Sequence, residues 1–195
     1  MTKEEQVKSE AIQAAKTLFQ HYGLNKTTME DIAKAMGRGK STLYYYYKSK
    51  DEIFEAVVLN EIDEIYFKVK NAVDNVSSAK EKLITYCLTT FKSINTVSVI
   101  YKIIVGEISE NMNMVLDLRG KFEKKQNELL YNIFNQGIVN GEFVSEIKSD
   151  IDLLTFSMNS ALSGLVIDFV IHKNFPGWEN RIDLLVNIFL KGLLA

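Results

Sequence analysis

Lys40, Ser41, Thr42, Tyr44 and Tyr45 stand together in the stretch KSTLYYYYKSK, and they offer a cation, two hydroxyls and two flat phenolic rings within six residues. Ser and Thr hydroxyls reach phosphate oxygens or base edges, and a Thr methyl or an aromatic ring packs on a thymine methyl. Lys48 and Lys50 follow at once, where a duplex backbone would pass. From Lys26 to Lys50 there are six basic residues and two acidic ones, in a chain whose net charge is −2. Any one of these side chains also suits a solvated helix face. As a constellation they point to nucleic acid, and the reading rests on local charge because the chain as a whole is mildly acidic.

The residues before this stretch supply its support. Thr28 with Asp31 three residues on has the form of a capped helix start. Ile32, Ala33 and Met36 then give a short apolar face, and Gly37 and Gly39 permit a tight turn. A second short helix runs from Lys40 to about Tyr46, with Leu43 and Tyr47 facing back towards the first. Two short helices joined by a Gly-containing turn is the geometry that sets the second helix in a major groove.

The same stretch resembles the signature of the TetR family of bacterial transcriptional regulators. The residues that carry the resemblance are Thr28, Ala33, Gly37, Lys40, Thr42, Leu43, Tyr44, the aromatic run to Tyr47, Lys48, Lys50 and Glu52 to Phe54. The likeness covers roughly the first 55 to 60 residues. Where the family turn carries an apolar residue then Ser, this chain has Arg38 and Gly39. Arg38 is expected to turn outward towards DNA, and a Gly cap in place of Ser to loosen the second helix slightly. The DNA-binding set is therefore Thr28, Arg38, Lys40, Ser41, Thr42, Tyr44, Tyr45, Lys48 and Lys50.

Around this head the chain reads as helix throughout. A first helix over 3–22 carries Val7, Ala11, Ala14, Ala15, Leu18, Phe19 and Tyr22 on one stripe, with Gly23 as a stop. A long helix starts at Ser49 or Lys50 and keeps Phe54, Val58, Ile62, Ile65, Val69 and Val73 in register to about Asn75. It is too long for the head alone and links it to the remainder. Further helices are expected near 78–94, 97–111, 114–140, 149–172 and 179–193, with turns at Asn140-Gly141 and around Pro176. The expectation is an all-α chain of about nine helices: a three-helix head over 1–55, its helix-turn-helix at about 29–48, and a helical effector-binding and dimerisation body over 56–195.

What controls the head is implied by the resemblance. It implies a small-molecule effector in the body, for which Tyr66, Tyr86, Phe91, Tyr101, Met112, Met114, Phe122 and Phe156 are candidates. Aromatics and Met at helical spacing equally describe plain core. The resemblance also implies a homodimer made by the last two helices of each subunit. Met158, Ala161, Leu162, Leu165, Phe169, Ile182, Leu185 and Phe189 are the candidates, beside the small residues Ser157, Ser160, Ser163 and Gly164. Two linked heads would read a palindromic double-stranded operator with half-sites about 34–36 Å apart or a multiple of it.

Other classes find little support. There is no P-loop, no dinucleotide-binding glycine pattern and no Gly-x-Ser-x-Gly elbow. His21 and His172 are far apart and suit helix ends, so no metal or cofactor is expected. Glu107 and Asp168 stand in apolar surroundings as pocket groups or paired surface charges. The single Cys87 falls in the apolar pattern Leu83, Tyr86, Leu88, Phe91 and reads as a buried small hydrophobe in a reducing cytoplasm. No secretory leader and no run of about 20 apolar residues is present. The expected function is a ligand-responsive, dimeric DNA-binding repressor and not an enzyme. The alternative is an all-helical interaction protein whose basic head binds a protein partner or a membrane surface.

Overall fold

The computed structural model describes residues 2–107, 112–166, 168–169, 173–178 and 181–194; for 94–107, 112–116 and 119 it describes the backbone only. Among the described residues the chain is all-α. The helices are α1 (Lys3–Tyr22), α2 (Met29–Ala35), α3 (Lys40–Tyr46), α4 (Lys50–Asp74), α5 (Ala79–Glu107), α6 (Met112–Val139), α7 (Ile151–Val166) and α8 (Ile182–Lys191), with a 3₁₀ turn at Ser145–Asp150 before α7. An isolated antiparallel bridge joins Phe143 and Leu194.

The first four helices fall where the sequence puts them, because caps and breakers mark their ends. α1 starts at Thr2, whose hydroxyl accepts the Glu5 N–H while the Glu5 carboxylate accepts the Thr2 N–H. α4 starts with the Glu52 N–H donating to Ser49 Oγ at 3.1 Å. Two boundaries differ further on. The helices expected at 78–94 and 97–111 are one continuous helix, α5. Ser93, Asn95, Thr96 and Ser98 dilute its apolar pattern, but none of them is a Gly or Pro able to stop a helix. Of the helix expected over 149–172, α7 covers Ile151–Val166 and residues 149–150 fall in the 3₁₀ turn, while 167 and 170–172 lie outside the described residues.

Two compact units are present. One comprises Met1–Asp63 with Val99–Arg119, the other Glu64–Ser98 with Gly120–Ala195. In the first, Ala11, Ala15 and Phe19 of α1 pack with Ile32 and Ala33 of α2, Leu43 of α3, and Ile53, Phe54, Val57 and Val58 of α4. Phe19 meets Phe54 edge-on at 5.7 Å. Lys16 of α1 pairs with the buried Glu61 of α4 at 2.6 Å. In the second unit, Leu83, Tyr86, Cys87 and Phe91 of α5 pack with Leu130, Ile133 and Phe134 of α6, Met158 and Leu162 of α7, and Ile182, Val186 and Leu190 of α8. After α6 the chain folds back so tightly that a Cβ on Gly137 would lie 2.1 Å from the buried Phe143 ring.

Candidate nucleic-acid interface

A seven-residue helix has too few hydrogen bonds to stand alone, so α3 is held by what lies beneath it. Leu43 is fully buried and Tyr47 nearly so, both in the core shared with α1, α2 and α4. Cutting Leu43 to Ala would cost about 2–5 kcal/mol of that packing. The turn entering α3 is set by Gly37 at φ 66°, a left-handed conformation that a side chain disfavours. Its N–H donates to Lys34 O and the Arg38 N–H to Ala33 O, both at 3.0 Å, which closes α2 with a paired C-terminal cap. Gly39 then begins α3 with no side-chain cap.

This leaves one face of α3 outward. Lys40, Ser41, Tyr44 and Tyr45 are exposed, Tyr45 by 74%, and Thr42 is half-buried. Lys40 sits 3.6 Å from Glu30 and over the Tyr44 ring. Lys48 curls back, its ammonium donating to Tyr44 O and Tyr45 O at 3.1 and 3.3 Å, so it caps the end of α3. Thr28 begins α2: its hydroxyl donates to Asp31 Oδ2 at 2.6 Å and accepts the Asp31 N–H at 3.2 Å. The Thr28 hydroxyl and the Thr28 N–H, both donating to the carboxylate, hold the Asp31 carboxyl below the usual Asp range.

The remaining two predicted contacts have inward partners. Arg38 donates from Nε and from a terminal nitrogen to Glu10 Oε2, at 2.9 and 2.7 Å, and so ties the turn to α1. Its half-buried guanidinium turns to that carboxylate, whereas the sequence predicts a turn outward towards DNA. Lys50 donates to Leu24 O at 2.7 Å and so holds the α1–α2 loop against the start of α4. Neither partner is near in sequence, so no local spacing reveals them. Sequence reasoning counted Lys26 and Lys34 only as charge. They line, with Leu18 and Tyr22 of α1, Thr27, and Asp31 and Ala35 of α2, a cleft of about 460 Å³.

The second unit separates the remaining candidates. Tyr86 and Phe91 are buried in its core, and Phe122 and Tyr66 pack partly buried against it, Tyr66 beneath the Lys125 ammonium. Phe156 is not with them: it is 59% exposed on the far side of α7. The side chains of Tyr101, Glu107, Met112 and Met114, and residue His172, lie outside the described residues. Of the residues predicted to meet a second subunit, Met158, Leu162 and Ile182 are core, and Leu165 and Phe169 pack against it. Ala161, Leu185 and Phe189 are exposed, in company with Leu153, Leu184 and Ile188, which the sequence reading missed. Both helices are apolar on two sides, and spacing alone does not say which side faces inward.

The model for bacterial regulatory proteins of the tetR family matches residues 11–57. Across nearly its whole length, the chain is 27% identical over 195 residues to the HTH-type transcriptional regulator QacR of Staphylococcus aureus, covering 96% of this chain and 98% of that one. It is 28% identical over 150 residues to the HTH-type transcriptional repressor KstR2 of Mycolicibacterium smegmatis, covering 75% of this chain and 71% of that protein. Among solved structures, FadR from Bacillus subtilis in complex with stearoyl-CoA shares the fold, with a TM-score of 0.73 at 18% identity over 94% of this chain and 98% of that one. Among the described residues no helix is long and apolar enough to cross a membrane.

Proposed function

We infer that this chain, whose head belongs to the TetR family of bacterial regulatory proteins, is a ligand-responsive transcriptional repressor that binds a palindromic operator as a homodimer and leaves it when a small molecule fills the body. The observation that carries the reading is the division of α3. Leu43 and Tyr47 are buried beneath it while Lys40, Ser41, Tyr44 and Tyr45 project from the other face, directly after the Gly37 turn. That arrangement offers hydroxyls and rings to base edges and lysines to phosphates, as a recognition helix requires. Residues 1–55 carry DNA reading and 56–195 effector binding and dimerisation. Thr28, Lys40, Ser41, Thr42, Tyr44 and Tyr45 face the duplex, whereas Lys48, Lys50 and Arg38 position the helix as much as they touch DNA.

The exposed apolar side of α7 and α8 is where the second subunit docks, through Leu153, Ala161, Leu184, Leu185, Ile188 and Phe189. Lipophilic effectors fit the aromatic core of the second unit, and a relative of the same fold is solved with stearoyl-CoA. The test is selection from a random duplex pool with purified protein at two salt concentrations. An enriched palindrome with half-sites about one helical turn apart, bound more weakly as salt rises, is expected. Retention with no enriched sequence would overturn the operator reading.

A further inference from the structure

The second unit holds a file of neutral polar side chains where core packing alone calls for hydrocarbon. Tyr86 of α5 is fully buried, and its hydroxyl donates to Asn159 Oδ1 of α7 at 2.7 Å. The Asn159 amide in turn donates to Asn127 of α6. One turn along α5 from Tyr86 stands Thr90, and one turn back along α7 from Asn159 stands Thr155. The Ala79 and Lys80 N–H groups at the start of α5 donate to Glu142, just past the end of α6. α7 begins soon after at Ile151, so α5 and α7 start at the same end of the unit, and the two threonines bracket the Tyr86–Asn159 pair. Both threonines are at least nine-tenths buried, and neither hydroxyl has a partner among the described residues. A hydroxyl in that state is costly, and valine has the same shape without the cost.

We propose that Thr155, Asn159, Tyr86 and Thr90 form the polar part of the effector site and recognise an uncharged oxygen function, a carbonyl or a hydroxyl, on a hydrocarbon ligand. This rests on the repressor reading above and names the chemical class of its effector. A threonine hydroxyl donates to a carbonyl or accepts from a hydroxyl, and the Tyr86 oxygen, already donating, still accepts. Charge decides against a free carboxylate. The buried polar side chains described in this unit are Thr90, Ser93, Gln126, Thr155 and Asn159, and none is a cation. A carboxylate among them would lose its water and gain no counter-charge. Burial also raises the Tyr86 pKa, which keeps the phenol neutral.

The chain contains a single tryptophan, Trp178, whose ring lies 5.7 Å from Phe91, the residue after Thr90. Its fluorescence, together with calorimetry, follows titration of the full chain with five probes: methyl stearate, stearyl alcohol, androstenedione, stearoyl-CoA and sodium stearate. Binding is expected for at least one of the first four, with stearate at least about tenfold weaker. Androstenedione and stearoyl-CoA separate a rigid ketone from a thioester carbonyl whose charged carrier stays in solvent. Thr90→Val and Thr155→Val should each weaken binding of that probe about threefold to tenfold, the worth of one hydrogen bond. Neither should lower Tm, since each replaces an unpartnered hydroxyl with a methyl. Binding of none of the four, stearate binding as tightly, or unchanged affinity in both variants would overturn the proposal. Operator binding is measured on the same preparations. A bound operator with no probe bound overturns the ligand class alone, whereas failure to select any operator overturns the repressor reading.

Discussion

Tyr45 and Lys50 sit five residues apart in one basic stretch, and the structure gives them different work. Tyr45 is the most exposed of the aromatic run, and its ring meets Tyr46 edge-on at 4.9 Å. Tyr45→Ala should leave stability within about 0.5 kcal/mol, as for surface changes generally. It should shift the preferred operator base, with a loss of about 1–3 kcal/mol on the best sequence and little on random DNA. Equal losses on every sequence, read by titrating both DNAs, would remove Tyr45 from the base readers. Lys50 carries a structural bond to Leu24 O. Lys50→Ala should therefore lower Tm as well as weaken binding to all DNA alike, while Lys50→Arg should restore part of both. An unchanged Tm would show that the bond contributes nothing. The outer face of α3 was legible in the sequence because helical spacing separates Leu43 from its neighbours. The bonds of Lys50 and Arg38 were not, since their partners lie 26 and 28 residues away.

Elements depend on contacts of the same long-range kind. α6 ends where Gly137 lets the Phe143 ring lie across it. Gly137→Ala ought to raise helix propensity by about 1 kcal/mol, and elsewhere in a helix it would stabilise. Here the methyl meets a fully buried ring, so a net loss of about 1–3 kcal/mol is expected from overpacking. A higher Tm for Gly137→Ala would refute the close approach. α5 shows a pH-dependent counterpart. Glu142 accepts the Ala79 and Lys80 N–H groups, and these bonds hold its carboxyl below the usual Glu range. A carboxylate whose folded pKa is depressed stabilises the fold above its unfolded pKa, and that contribution is lost as pH falls through the folded one. Glu142→Gln should thus lower stability near neutral pH and flatten the decline on acidification below about pH 4.5, the ordinary Glu value. Parallel stability curves for the two proteins would deny Glu142 this role. Helix starts with local caps, such as Thr28 with Asp31, were legible in the sequence. The start of α5 was legible to within a residue, and Ser78 caps it locally by accepting the Glu81 N–H; the second cap, from Glu142 63 residues away, was not. The length of α5 was misread because polar residues at 93–98 imitate a boundary while leaving the backbone free to continue.

At the scale of the molecule, α7 and α8 each carry two apolar faces. The face containing Met158, Leu162, Ile182, Val186 and Leu190 closes the unit's own core. The other face shows Leu153, Phe156, Leu184, Leu185 and Ile188 to solvent, and along α7 it is interleaved with the exposed small residues Ser157, Ser160, Ala161 and Gly164. Among the described residues, a Cβ placed on Gly164 would meet nothing within 4 Å, so the row is open to a helix from outside. Exposed apolar rows of this extent on a folded chain mark an interface. Two copies meeting there would form a self-complementary contact about a twofold axis, which is the symmetry a palindromic operator demands. Charge on that face should therefore separate folding from function. Leu184→Glu with Ile188→Glu places two carboxylates, one turn apart on α8, where the partner would bury them. Because both positions are exposed within one subunit, the helical signal should persist. The sedimentation coefficient should fall from dimer to monomer. Operator affinity should then drop by about 10²- to 10⁴-fold, since the second head no longer binds as a tethered partner. The salt dependence should shrink too, with roughly half the phosphate contacts left per complex. If the double variant stays dimeric, or binds its operator unchanged as a monomer, the twofold contact lies on another surface and the exposed rows of α7 and α8 need a different occupant.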